Sequence, residues 1–167
     1  MELKVSVTTQ GKVFEGKATE VIREALTNVM YEATSFLEGE VRKRTPTGVF
    51  GASGGLVSTI HGEVAGKGTP VMKGVVGHQS AYGDVIEKGR RAGKTWPPEG
   101  ALLRWIEMKM GVPGEAAKSL EFVIRRKIGQ KGFAGVHMFE NALKENWNKL
   151  ETMFDRAGFN IARNLNE

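Results

Sequence analysis

Two apolar stripes with helical spacing, one towards each end of the chain, constrain the fold more than any other feature of this sequence. Between Ala18 and Arg44, apolar side chains recur at Val21, Ile22, Ala25, Leu26, Val29, Ala33, Phe36, Leu37 and Val41. Steps of three and four place them on one face of a helix. At 1.5 Å per residue that helix reaches about 40 Å. Arg42, Lys43 and Arg44 suit the negative end of its dipole, and Pro46 halts it near Thr45. The second stripe, Phe139, Leu143, Trp147, Leu150, Phe154, Ala157, Ile161 and Leu165, predicts another long helix running almost to the last residue. Such a face must be covered, either by the first long helix or by a neighbouring subunit.

The β-forming part is small and lies in the first half. Residues 3 to 8 read as a short strand within an N-terminal arm of residues 1–17, and Gly11 reads as a turn. Leu56 to Val64 and Val71 to His78 read as an antiparallel hairpin joined by the turn Gly66-Lys67-Gly68-Thr69-Pro70. Ala81 to Glu87 is either a third strand or a short helical turn. Leu102, Leu103, Trp105, Ile106 and Met110 predict a short helix broken by Gly111-Val112-Pro113-Gly114. Glu115 to Ile128 predicts another, with Ala116, Ala117, Leu120, Ile124 and Ile128 on its buried side, followed by a loop from Gly129 to Gly135. Residues 48–55 and 88–98 read as flexible loops. The expected architecture is α+β: a small antiparallel sheet packed against long N- and C-terminal helices, with shorter helices between. The length, 167 residues, suits a single domain.

Composition narrows the function. Cysteine is absent, which removes disulfides, thiolate nucleophiles and Cys-based zinc sites. The N-terminus alternates apolar and polar residues rather than forming a secretory segment, and no apolar run reaches bilayer length, so no membrane association is expected. Charge is uneven. Residues 88 to 131 hold eleven Lys or Arg against four Asp or Glu, whereas the flanking segments are each close to balance. A basic zone of this kind faces solvent, phosphate or an acidic protein neighbour.

Gly89-Arg90-Arg91-Ala92-Gly93-Lys94-Thr95 approaches the phosphate loop G-x-x-x-x-G-K-[ST], one residue short. A phosphate loop needs a helix directly after it, and Trp96-Pro97-Pro98 forbids one. Ile128-Gly129-Gln130-Lys131-Gly132 has the spacing of the loop with which KH domains grip a nucleic-acid backbone. The strands that a KH fold requires are missing after Gly135, so a Gly-rich connection between helices is the simpler reading. His61, His78 and His137 lack a second ligand type at metal spacing, although His61 and His78 sit on facing strands of the expected hairpin. Asp84 and Glu87 share a face only if their segment is helical. Ser53, Ser58 and Ser80 have no nucleophile context. No catalytic residue, cofactor or metal is expected, and the chain reads as a non-enzyme.

The order of these features resembles the tail-completion, or neck, protein family of long-tailed bacteriophages. The resemblance is carried by a long N-terminal helix ending in Arg44-Thr45-Pro46-Thr47-Gly48, by Ala81-Tyr82 followed by Glu87-Lys88-Gly89, and by Trp96-Pro97-Pro98 before Leu102-Leu103-Arg104-Trp105. It continues through Ile128-Gly129-Gln130-Lys131-Gly132 into a final helix containing Phe139, and spans about residues 18 to 155. The family's usual Leu and Ser after Thr-Pro-x-Gly are replaced here by Val49-Phe50-Gly51-Ala52-Ser53.

The resemblance implies a structural virion protein of the head-tail junction, assembled in the host cytoplasm. It would form a ring around the DNA channel, with a hexamer favoured over a dodecamer, and contact neck, tail-terminator or head-closure proteins. Tyr82, Glu87, Arg90, Arg91 and Trp96 are then the expected subunit interface, with Glu87 meeting Arg90 or Arg91 of a neighbour. Lys94, Arg125, Arg126, Lys127 and Lys131 would face DNA, in non-specific contact, or an acidic partner. The alternative is a nucleic-acid-binding module that uses the basic segment 88–131.

Overall fold

A computed structural model describes residues 2–6, 17–48, 55–69 and 71–166. The elements are β1 (Glu2–Ser6), α1 (Lys17–Arg44), a 3-10 turn (Val57–Thr59), β2 (Ile60–Ala65), β3 (Val71–His78), α2 (Gly83–Lys88), β4 (Gly89–Arg90), α3 (Leu103–Trp105), a π-turn (Ile106–Met110), α4 (Gly114–Lys131), β5 (Phe133–Ala134) and α5 (Met138–Asn166). The fold is α+β, as the periodicity predicts. The chain groups into two compact units, one of Met1–Lys43, Ile60–Gly77 and Phe139–Glu167, the other of Arg44–Thr59 and His78–Met138. The expected turn at Gly11 and most of the segment 48–55 lie outside the described residues.

The first unit is built on the antiparallel sheet, in the order β1-β3-β2. β1 lies along β3 with Val5 opposite Met72. Alternation sorts the side chains: Ile60 and Val64 of β2, and Met72, Gly74 and Val76 of β3, are buried. Helix α1 crosses this face. It approaches so closely that a Cβ at Gly74 would collide with Thr34 Oγ1 and one at Gly62 would lie 2.8 Å from Thr34 Cγ2. Met30, Val64 and Met72 form the core here, with Val5 and Phe154 packed against it. Each such apolar side chain contributes about 2 kcal/mol when fully buried.

The buried line of α1 is Ile22, Val29, Met30, Ala33, Thr34, Leu37 and Val41. Met30 and Thr34 join the predicted stripe, because they lie over Gly62 and Gly74 of the sheet, a contact that a sequence pattern does not record. Helix α1 also guards the exposed edge of the sheet. β2 is an outer strand; its Gly62 amide donates to Glu38 Oε2 (2.7 Å), and its Ile60 carbonyl accepts from Arg42 (2.7 Å). Glu38 and Arg42 are also paired with each other at 2.8 Å. Two side chains one turn apart thereby occupy edge groups that would otherwise invite another strand.

Helix α5 covers the same unit. Phe154 reaches the sheet core, and Lys149 Nζ lies 4.0 Å from the centre of the Phe36 ring of α1. Of the two partners considered for its stripe, α1 is one that it meets. Trp147 departs from that stripe: it is half exposed, with its indole N–H donated to Glu151 at 2.7 Å.

The second unit departs from expectation in three places and takes one of the two readings left open for the segment after Ala81. The strand predicted from Leu56 begins only at Ile60, because the Ser58 and Thr59 hydroxyls bond back to the Gly55 and Leu56 carbonyls and hold a 3-10 turn. The segment after Ala81 is a helix, α2, so Asp84 and Glu87 share a face. The helix after Leu102 is one turn of α3 widened into a π-turn around the fully buried Ile106, and Gly111 ends it at φ 66°. The loop predicted from Gly129 is instead the last turn of α4 followed by β5, which pairs antiparallel with β4. Part of the 88–98 segment is therefore a strand. Amides of Val136 and His137 extend that pairing to the carbonyls of Ile86 and Glu87, at 2.9 and 3.0 Å.

Candidate functional site

The second unit holds every residue that the sequence nominates for contact. Its organising element is α4, on which α3 and the π-turn both pack. The buried ridge of α4 is Ala117, Glu121 and Gly129, spaced in multiples of four, with Arg125 half buried between them. This is not the Leu120, Ile124 and Ile128 face predicted from hydropathy, whose members are half buried.

A carboxylate is buried on that ridge because it has work that no nearer group performs. The irregular segment Trp96-Pro97-Pro98-Glu99-Gly100 leads into α3, whose N-cap residue, Leu102, offers no side-chain acceptor. Glu121 supplies one from across the unit. Its two oxygens accept from the Gly100 amide at 3.1 Å and the Leu102 amide at 2.9 Å. One turn on, Arg125 Nε donates to the Pro97 carbonyl at 2.8 Å. One further turn on, the Trp96 indole occupies the space that a side chain at position 129 would need. Trp96 also meets Phe122 edge-on, with ring centres 5.6 Å apart and planes at 65°.

Between this segment and α4 lies a cleft of about 460 Å³. Trp96, Leu103 and Phe122 supply its apolar walls, and Lys118, Arg125, Glu99 and Glu121 its charges. Lys118 donates a 2.6 Å hydrogen bond to Glu115, and that carboxylate holds its ammonium above the ordinary lysine range. Trp96 and Phe122 remain 40% and 53% exposed, so the cleft offers open aromatic surface beside cations. Val123 is also exposed, and Arg126 and Lys127 follow one turn beyond Phe122 and Val123.

The seating of Trp96 gives a direct expectation. Gly129→Ala drives a methyl into the indole, an overpacking cost of about 2 kcal/mol offset by about 1 kcal/mol of helix propensity. The net loss is about 1 kcal/mol, and Trp96 moves outward. Its fluorescence emission, read in a background with Trp105 and Trp147 replaced by Phe, shifts to longer wavelength in the variant.

The nominated residues are not all equivalent. Tyr82 is 51% exposed at the start of α2, and Arg91, Lys94, Arg126, Lys127 and Lys131 are exposed. Arg90 folds back, its guanidinium donating to the Thr95 carbonyl, and is half buried. Glu87 is half buried, and its carbonyl is taken by the His137 amide. Arg125 braces Pro97 as well as lining the cleft. His78 lies against Gly83, 3.8 Å from Asp84, which in turn stands 3.9 Å from Lys88. The segment resembling a phosphate loop is a short strand and a turn, tied by the Gly93 amide to the Gly129 carbonyl at 2.9 Å.

No family model, curated protein or solved structure matches this chain. Among the described residues no group of three or more His, Asp or Glu side chains is placed to hold a metal ion, and no helix is long and apolar enough to cross a membrane. Glu121 and Phe122 are the residues that sequence reasoning misses. The signal for Glu121 was present: a helix start at Leu102 without Ser, Thr, Asp or Asn to cap it needs an acceptor from elsewhere. What the cleft can do chemically is hold an apolar or aromatic group between walls that carry charges of both signs.

Proposed function

We propose that this chain is a structural, non-catalytic subunit of the head-tail junction of a long-tailed bacteriophage, a neck or tail-completion protein that closes a ring around the DNA channel. The motif order from residue 18 to 155 suggests the family. The observation that carries a self-associating reading is the surface of the second unit, where Trp96, Phe122 and Val123 are exposed next to Arg126 and Lys127. Exposed aromatic area bordered by arginine is characteristic of the centre of a protein interface. A ring repeats one heterologous contact, so each copy must carry both halves of it. The unit holding this surface has twelve Lys or Arg against six Asp or Glu, which suits a wall past which phosphate moves without being read.

In this reading the ring is a hexamer in preference to a dodecamer. Its neighbours are head-closure, tail-terminator or other neck proteins, and it resides in the virion. Electron microscopy of the purified protein and of intact particles tests this: rings with an open centre are expected in the first, and the protein at the neck in the second. A strict monomer absent from particles overturns it.

One observation favours a second reading, that of a nucleic-acid-binding module. Aromatic faces interleaved with cations are what single-stranded nucleic acid stacks upon. Oligonucleotide titration separates the two: a module binds short single strands and loses them when Arg126, Lys127 and Lys131 are reversed in charge, whereas a structural subunit shows no such binding and the same reversal acts on ring assembly.

A further inference from the structure

We propose that the cleft walled by Trp96 and Phe122 receives Tyr82 and Asp84 of a second copy of this chain. The inference rests on the ring reading above and gives it a specific contact. Tyr82 is an aromatic side chain left half exposed on a backbone that is firmly held: its carbonyl accepts from the amides of both Val85 and Ile86 at 3.1 Å, and the next residue, Gly83, is buried against the His78 imidazole. It is a presented group rather than a frayed one. Asp84 stands two residues on, with 76% of its side chain exposed. His78 and Lys88 approach it at 3.8 and 3.9 Å and leave most of it open.

The cleft is complementary in both respects. Trp96 and Phe122 present aromatic surface to a tyrosine ring, and Arg125 and Lys118 present positive charge to the carboxylate beside it. Of the two carboxylates in the cleft, Glu121 is 3% exposed and turned to the Gly100 and Leu102 amides, and Glu99 stands open; Lys118 is bonded to Glu115, so an incoming acid meets Arg125 and takes Lys118 from that exposed partner. Around both patches the unit carries a twofold excess of cations. Tyr, Trp and Arg are also the side chains on which association energy concentrates.

Tyr82 is not part of the cleft wall, yet both patches belong to the same compact unit. Each copy thus offers one projection and one receptor at different places, which is the arrangement of a head-to-tail contact. Repetition of such a contact closes a ring when the rotation per step divides a full turn. An acidic peptide of another neck protein, or a single-stranded nucleic acid, would compete for the same aromatic faces.

Two exposed substitutions in the full chain test the assignment. Tyr82→Ala removes the projection and Phe122→Asp closes the receptor, and circular dichroism checks that both fold. By sedimentation velocity the wild type is expected to assemble, each variant alone to remain monomeric, and their equimolar mixture to form a one-to-one dimer and go no further. The mixture retains one intact Tyr82 and one intact cleft, so a single contact is all it can make. Asp84→Lys is expected to weaken wild-type association about tenfold, and Lys118→Glu added to it to restore most of the loss. Trp96→Ala serves as a second receptor variant should Phe122→Asp not fold. If either variant assembles as the wild type does, or the mixture stays monomeric, the contact is wrong while the ring reading stands. If the wild type stays monomeric by itself the contact is wrong, and if it is also absent from particles the ring reading falls with it.

Discussion

Glu121→Ala is expected to lower the stability of the unit that contains it by about 3 kcal/mol, with Glu121→Gln costing roughly half as much. The carboxylate is 3% exposed and accepts two backbone amides, those of Gly100 and Leu102. Removing it loses two charge-assisted hydrogen bonds, leaves two donors without their acceptor and opens space on the ridge. Glutamine retains the shape and one acceptor oxygen, so it preserves one bond of the two. Urea denaturation followed by Trp96 fluorescence, with Trp105 and Trp147 replaced by Phe, measures the order wild type, Gln, Ala. Equal stability of the three would show that water replaces the carboxylate at those amides. Loosening the Trp96–Leu102 segment also disturbs the cleft, so Glu121→Ala should weaken any association that uses Trp96.

Gly74→Val is expected to destabilise the sheet unit by about 3 kcal/mol, although an exposed strand glycine replaced by valine normally gains stability. The sign is reversed by α1. A Cβ at Gly74 would meet Thr34 Oγ1 and lie 3.1 Å from Met30 Sδ, both on the helix that crosses the strand. Either the helix lifts or Met30, 1% exposed, leaves its rotamer. Thr34→Ala removes the obstructing hydroxyl and methyl. The double variant Gly74→Val with Thr34→Ala should therefore recover at least about 1 kcal/mol relative to the sum of the two single changes. Thermal or urea unfolding of the four proteins closes the cycle, and strict additivity would mean that α1 does not touch β3 at that point.

The two long helices were legible because periodicity along a helix is a property of neighbours three and four residues apart. Of the stripe from Val21 to Val41, Ile22, Val29, Ala33, Leu37 and Val41 are buried, Val21, Ala25, Leu26 and Phe36 are half buried, and Met30 and Thr34 join it. The strands at Ile60–Ala65 and Val71–His78 were legible for the same reason, through alternation and a glycine turn. The face of α4 was not. Leu120, Ile124 and Ile128 look like its buried side, but Ala117, Glu121 and Gly129 are the buried residues, the last two beneath Gly100, Leu102 and Trp96. Hydropathy ranks a glutamate as outward, and only the amides of Gly100 and Leu102, about twenty residues away, turn it inward. β4 and β5, two residues each, carry no period to read. Of the candidate site, the basic residues were visible as a local excess of charge, and Tyr82 and Trp96 only through the family resemblance. The cleft itself was not, since its walls come from two segments that neither composition nor spacing joins.

By itself, the sequence determined the α+β class, the two long helices, the β-hairpin, the helix exit at Thr45-Pro46 and the concentration of positive charge between residues 88 and 131. These depend on local spacing, on the fixed φ of proline and on simple addition of charge. Tertiary structure alone decided that Gly62 and Gly74 admit a helix onto the sheet, that Glu121 braces the start of α3, and that Trp96 and Phe122 open a cleft beside Arg125. Each of those depends on atoms brought within about 4 Å of one another from distant parts of the chain, and a contact distance is set by how the elements pack rather than by any one of them.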